Sequence, residues 1–177
     1  MRILLVIPLF FLISSCSFQS SQYNFLKNLV INNDNLDEPK KNWSLILENK
    51  EIYLYAINYE DQIIFANKHI NIFFKNNQII KVSGLFDDID EIEIISNNDS
   101  LSYIADKTEL STDICDSEMI SYTQAKNKKS IKICYEESSK ISYENQVIVS
   151  HSGLLVGVKF KVRPDYPTIE LRVKQNF

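Results

Sequence analysis

Three kinds of side chain in this sequence have types suited to chemistry: cysteines at 16, 115 and 134, histidines at 69 and 151, and an acidic run of Asp87, Asp88, Asp90, Glu91 and Glu93. Ser150-His151-Ser152 sets nucleophile and base types side by side. Adjacent residues on an extended chain point apart, however, so these three cannot form a relay by themselves. Two histidines with no third ligand at a recognisable spacing make no zinc site. The acidic run has the density to hold a calcium ion but lacks the ligand spacing and glycine of a calcium loop. Asp88, Asp90 and Asp113 are the carboxylates that glycoside hydrolysis would need. A charged strand edge that discourages edge-to-edge pairing explains the run with less. The expectation is no catalytic set, no bound metal and no cofactor, hence a protein that is not an enzyme.

Cys16 is different, because of the fifteen residues before it. Met1-Arg2 supplies a positive start, Ile3 to Ile13 is apolar apart from Pro8 itself, and small Ser14 and Ser15 precede the cysteine. A positive start, a short apolar run and a small-residue cleavage site make a secretory signal peptide. The run is about half of the roughly 20 apolar residues that span a bilayer. Ile13-Ser14-Ser15-Cys16 resembles the lipobox of bacterial lipoproteins. That resemblance implies cleavage before Cys16 and a tether of acyl chains, palmitate among them, on its sulfur. A multiply acylated cysteine is a stable anchor, whereas one chain holds only marginally. In proteins with this signal, Asp after the cysteine favours retention at the inner membrane. Ser17 stands there, which implies the outer membrane, with the body facing the periplasm.

In such an oxidising compartment the remaining pair, Cys115 and Cys134, reads as one disulfide. Closing that loop would contribute about 3 kcal/mol in the chain-entropy picture. Two unbonded thiols or a redox pair are the alternatives. A redox or metal role lacks a C-x-x-C spacing or a neighbouring histidine.

Composition narrows the partners. Nineteen Lys and Arg against 23 Asp and Glu give a net charge of −4, and no long basic run offsets it. Nucleic acid is excluded as a partner, since that binding rests on neutralised phosphates. An apolar share of 45% is that of a packed core rather than a disordered chain. With three glycines and four prolines in the whole chain, turns fall to Asn, Asp and Ser.

Tyr23 to Val30 has apolar residues at 25, 26, 29 and 30, a helical spacing, and Asn32 to Asn42 is polar loop. From Trp43 onward the period becomes two. Glu51 to Tyr59 puts Tyr53, Tyr55, Ile57 and Tyr59 on one face. Tyr53, Tyr55 and Tyr59 could stack on sugar rings or meet lipid, and the same stripe would serve as core packing. Ile70 to Lys75 and Gln78 to Ser83 flank Asn76-Asn77, a hairpin signature. Asp87 to Ile95 alternates; Ser121 to Gln124 and Ser130 to Glu136 flank the turn Ala125 to Lys129. Lys140 to Tyr143 and Gln146 to Ser150 flank Glu144-Asn145, a further expected hairpin. Leu154 to Val162 alternates, and Thr168 to Val173 sets Glu170, Arg172 and Lys174 against Ile169, Leu171 and Val173. Short strands with polar turns imply antiparallel β structure. The expected organisation is a signal peptide over 1–15, a tether, short helix and loop over 16–42, and an antiparallel β domain over 43–177.

Two stretches carry a family resemblance. One is Ile70 to Ile89, with Asn77-Gln78-Ile79-Ile80-Lys81-Val82 in its hairpin and Gly84-Leu85-Phe86-Asp87-Asp88-Ile89 after it. The other is Arg163-Pro164-Asp165-Tyr166-Pro167-Thr168-Ile169-Glu170-Leu171. Together with the lipobox and the order of elements, they are similar to the YjbF family of outer-membrane lipoproteins, encoded with group 4 capsule and exopolysaccharide secretion genes. The resemblance implies a strongly curved antiparallel sheet, an open half-barrel shaped like the carriers LolA and LolB. It also implies a non-catalytic role in surface polysaccharide assembly or export, with the polysaccharide or its export proteins as partners. The alternative expectation is a periplasmic carrier or chaperone for lipid or lipoprotein, using an apolar concave face of the sheet. A polysaccharide-modifying enzyme is the third reading, without a convergent acid and base to support it.

Overall fold

The computed structural model describes residues 43–123, 127–136, 139 and 141–174. The leader, Cys16 and the helix expected over Tyr23 to Val30 lie outside the described residues. Within them the chain forms thirteen strands and no helix. The strands are β1 Trp43–Leu47, β2 Lys50–Tyr59, β3 Gln62–Ala66, β4 Asn71–Lys75, β5 Gln78–Ser83, β6 Glu91–Ser96 and β7 Ser100–Ala105. They continue with β8 Thr108–Cys115, β9 Met119–Tyr122, β10 Lys128–Tyr135, β11 Ser142–Val149, β12 Leu155–Phe160 and β13 Ile169–Val173.

Tight turns set the early hairpins. Asn76 and Asn77 have φ of 51° and 61° between β4 and β5, and Asp106 and Lys107 have 50° and 66° between β7 and β8. Positive φ at both central residues is the type I′ turn, whose twist matches that of the flanking strands. Asn tolerates it well, and the expected hairpin at 76–77 is present as read. After β5, Gly84 turns the chain at φ 67°, and its N–H donates to Asp90 O at 3.0 Å. The run from Asp87 therefore stays loop until Glu91, where β6 begins.

The expected hairpin at Glu144-Asn145 is absent: β11 runs unbroken through both residues. Asn145 faces inward and is buried, and its Oδ1 accepts a hydrogen bond from the Lys161 N–H at 2.8 Å. An asparagine that looks like a turn residue here satisfies a backbone donor just beyond the end of β12.

Pairing is antiparallel throughout and runs in the order β11-β12-β13-β1-β2-β3-β4-β5-β6-β7-β8-β10. β10 also pairs with β11, so these twelve strands close into a barrel, and the extra strand β9 follows β8 along the same edge of β10. The open half-barrel expected from the resemblance is thus replaced by a closed one. Two pairings make the difference. The last strand pairs with the first, from Trp43 opposite Val173 to Ile46 opposite Glu170. At the other side β10 meets β8 at Cys134 opposite Cys115 and Tyr135 opposite Ile114.

Inward positions form one apolar cluster that includes Leu45, Leu54, Phe65, Ile72, Leu101 and Leu171, each essentially inaccessible. The Trp43 and Phe65 rings meet at a tilt of 58° with centroids 4.6 Å apart, and Phe65 meets Phe74 at 6.5 Å. Twelve strands in a circle would leave room for a ligand or a channel. Here the inward side chains are almost wholly inaccessible and fill the interior. Each large aliphatic or aromatic group so buried contributes roughly 1.5–3 kcal/mol.

Candidate functional site

Among the described residues, a site with room for a ligand lies outside the packed interior. Where β11, β12, β13, β1 and β2 run side by side, a groove of about 480 Å³ opens on the outer face. Its floor is low because two short residues flank a long one: Arg172 on β13 lies between Gly157 on β12 and Ser44 on β1. Glu51, Lys159, Glu170 and Lys174 line it with Ile46 and Ile148. The Arg172 guanidinium is held by Glu170 on the same face, Nη2 to Oε2 at 2.7 Å. That carboxylate raises the Arg172 pKa further. Tyr53 flanks the groove opposite Ser44, and Lys174 Nζ sits 4.4 Å from its ring centroid. A groove with cationic heads, an aromatic ring and aliphatic patches can take a polar chain that presents ring faces and anionic groups.

The tyrosine stripe therefore does not pack the core. Tyr53 and Tyr59 are 41% and 43% exposed on the outer face, with Tyr55 half-buried between them. Among the three, Tyr53 is the one beside the groove.

Polar residues inside the barrel gather at the junction of β7, β8 and β11. Tyr143 Oη donates to Asp113 Oδ2 at 2.6 Å, and the Tyr103 and Tyr143 hydroxyls are 2.9 Å apart. Because the Tyr143 proton goes to the carboxylate, Tyr103 is the donor in that second bond. Burial pushes both phenols well above the ordinary value of 10, so both remain neutral. Lys161 Nζ lies 4.8 Å above the Tyr143 ring and pairs with Glu136. That pairing, helped by Ser139, holds the Glu136 carboxyl below its usual range. The group is a satisfied network, with every hydroxyl committed.

The candidate carboxylates separate accordingly. Asp113 belongs to the interior network, while Asp88 sits in the loop after β5 and binds Arg163 Nη1 at 2.6 Å. Arg163 also grips Asp165 through Nε at 2.5 Å and Nη2 at 2.8 Å. Its guanidinium lies over Phe86 and Tyr166, whose rings meet edge-on at 4.8 Å. The loop after β5 and the loop before β13, where the two resemblance stretches lie, are thus joined by one arginine. Glu91 pairs with Lys81 at 2.7 Å. Among the described residues no group of His, Cys, Asp and Glu is placed to hold a metal ion.

His69 and His151 are exposed and belong to turns. The His69 N–H donates to Asn67 Oδ1 at 2.8 Å. Beside His151, the Ser150 hydroxyl accepts from the Leu154 N–H at 3.1 Å and lies 2.8 Å from that of Ser152. Cys115 and Cys134 are bonded, with Cα atoms 4.0 Å apart across the β8–β10 pairing. Sequence reasoning missed Tyr103, Tyr143, Asn145 and Lys161 as partners, since their meeting depends on strands far apart in the chain. The shared face of Glu170, Arg172 and Lys174 was visible in their alternation; that Gly157 would deepen it was not.

No family model and no curated protein sequence matches the chain. Its fold does match the crystal structure of the hypothetical lipoprotein YmcC from Escherichia coli K12, with a TM-score of 0.51. The match spans 84% of this chain and 95% of that one at 12% identity. At that identity the likeness establishes a shared architecture.

Proposed function

We propose that this chain is a lipid-anchored lipoprotein of the outer membrane whose barrel assists the assembly or export of a surface polysaccharide without catalysing a reaction. The observation that carries the reading is the likeness in fold to a protein titled a hypothetical lipoprotein. It meets a chain whose own Cys16 follows a leader ending Ile13-Ser14-Ser15. The bonded Cys115 and Cys134 suit an oxidising compartment. A charged outer face over a filled apolar interior is the inverse of a transmembrane barrel, which turns its apolar band to lipid. Such a body reaches a membrane through a tether. Among the described residues no helix is long and apolar enough to span a bilayer. The polymer part of the reading draws on the groove beside Tyr53, open along the sheet and lined by Lys159 and Arg172.

A carrier that holds lipid on an apolar concave face is not favoured, because Leu45, Leu54, Phe65 and Leu171 already fill that face.

Mass spectrometry of the mature chain tests the anchor: an N-terminal Cys16 with added acyl mass is expected. An intact Met1, or an N-terminus past Cys16 without lipid, would refute it. Deletion of the gene is expected to lower surface polysaccharide, and a Cys16→Ser chain should fail to restore it. Unchanged surface polysaccharide on deletion removes the export role.

A further inference from the structure

We propose that the outer groove is a seat for an acidic polysaccharide, with Lys159 and Lys174 as the cations that receive the carboxylates of its sugars. The inference rests on the polysaccharide reading above and names the class of polymer.

The charges in the groove decide that class. Three cations, Lys159, Arg172 and Lys174, line it with two carboxylates, Glu51 and Glu170, although the whole chain carries a net charge of −4. Both carboxylates act on Arg172. Glu170 accepts from its Nε and, at 2.7 Å, from its Nη2. The Arg172 pKa is raised by Glu170 first and by the Glu51 charge after it. The guanidinium is therefore matched within the groove.

The two lysines are not. Lys159 is the register partner of Glu170, but both Glu170 oxygens are taken by Arg172. Among the described residues neither Lys159 nor Lys174 forms an ion pair. Lys174 Nζ rests instead over the Tyr53 ring, an exposed contact weaker than a charge-assisted hydrogen bond to a carboxylate. An incoming carboxylate can take either ammonium without displacing an existing ion pair.

Shape selects a polymer over a single small anion. Gly157, Arg172, Ser44 and Tyr53 lie side by side in register on β12, β13, β1 and β2, so the groove runs across the strands. With Ile148 on β11 opposite Gly157, it crosses five strands, about 19 Å at the usual interstrand spacing. The lysines stand apart along this path, Lys159 on β12 and Lys174 Nζ over the Tyr53 ring of β2. Charges repeated along one chain can meet both. Tyr53, 41% exposed, adds an apolar body and a polar tip for a sugar ring. A free inorganic anion would use the cations but neither the ring nor the length.

The test titrates the full chain in detergent, by calorimetry, with an oligogalacturonate and with a dextran oligosaccharide of equal length. The oligogalacturonate is expected to bind, and the dextran to bind at least about tenfold more weakly. Affinity for the oligogalacturonate should fall as salt rises, because exposed charges are screened. Lys159→Gln/Lys174→Gln should weaken it at least about tenfold. Lys68→Gln/Lys107→Gln removes the same charge from exposed turns elsewhere and should weaken it less than about twofold. Equal binding of the two sugars, no binding of the oligogalacturonate, or binding that survives the Lys159→Gln/Lys174→Gln change overturns the proposal. So does capture of phosphatidylglycerol vesicles through these two lysines in place of the sugar. The export role is read separately, from surface polysaccharide after deletion of the gene. Polysaccharide lost on deletion, with a chain that ignores oligogalacturonate, removes the acidic ligand and leaves that role standing.

Discussion

At the scale of single residues, the interior network gives the clearest expectations. Tyr143→Phe removes the hydroxyl that donates to Asp113 and accepts from Tyr103. Denaturant unfolding should show a loss of about 2 kcal/mol, because a buried carboxylate loses a donor. Tyr103→Phe removes the donor to Tyr143 but leaves the Tyr143 bond to Asp113, and its loss should be smaller. Acid should act through other carboxyls that are held by cations. Glu136, held down by Lys161, and Asp88 and Asp165, held down by Arg163, all ionise below their ordinary values of 4.5, 3.8 and 3.8. Groups with a lowered folded pKa stabilise fully above the unfolded value and cease to as pH falls through the folded one. The urea midpoint should therefore hold level above about pH 5 and drop below about pH 4. In Arg163→Ala the Asp88 and Asp165 part of that drop should vanish, and a midpoint with unchanged acid dependence would refute their role.

Single elements carry the next expectation and show what was legible before folding. The hairpin of β4 and β5 could be read outright, because everything that defines it is local: two β-rich runs and two asparagines that accept positive φ. Gly84 could be read as its end, but not as irreplaceable. A Cβ there would lie 1.9 Å from His69 O, at a φ of 67°. Gly84→Ala must displace the backbone before β4, and a stability loss of roughly 3 kcal/mol is expected in thermal or urea unfolding. A change under about 1 kcal/mol would mean that the loop yields easily. β11 was misread for the opposite reason. Nothing local distinguishes an asparagine at a turn from one that caps the end of a neighbouring strand, and Lys161 is 16 residues away in sequence.

At the scale of the whole molecule, alternation along the chain disclosed an antiparallel β body but not whether it closes. Alternation states which side of a strand is apolar. Closure depends on whether the first and last strands come to lie together and on how β10 shares its edge between β8 and β9. The site was legible in the same partial way. Its charges were visible on one face of the last strand, while its depth comes from Gly157 and Ser44 on two other strands.

The pairing of β1 with β13 has a consequence for how the protein is made. Trp43 is synthesised early and must wait for Val173 to arrive before its strand is covered on both edges. So distant a pairing favours slow folding and a long-lived, adhesive intermediate. A chain stopped after Pro167 would lack its closing stave despite losing only a short tail, and should be recovered aggregated or degraded. Adding Thr168–Phe177 back as a peptide in trans should restore a folded body; failure to do so would mean that the stave is needed covalently.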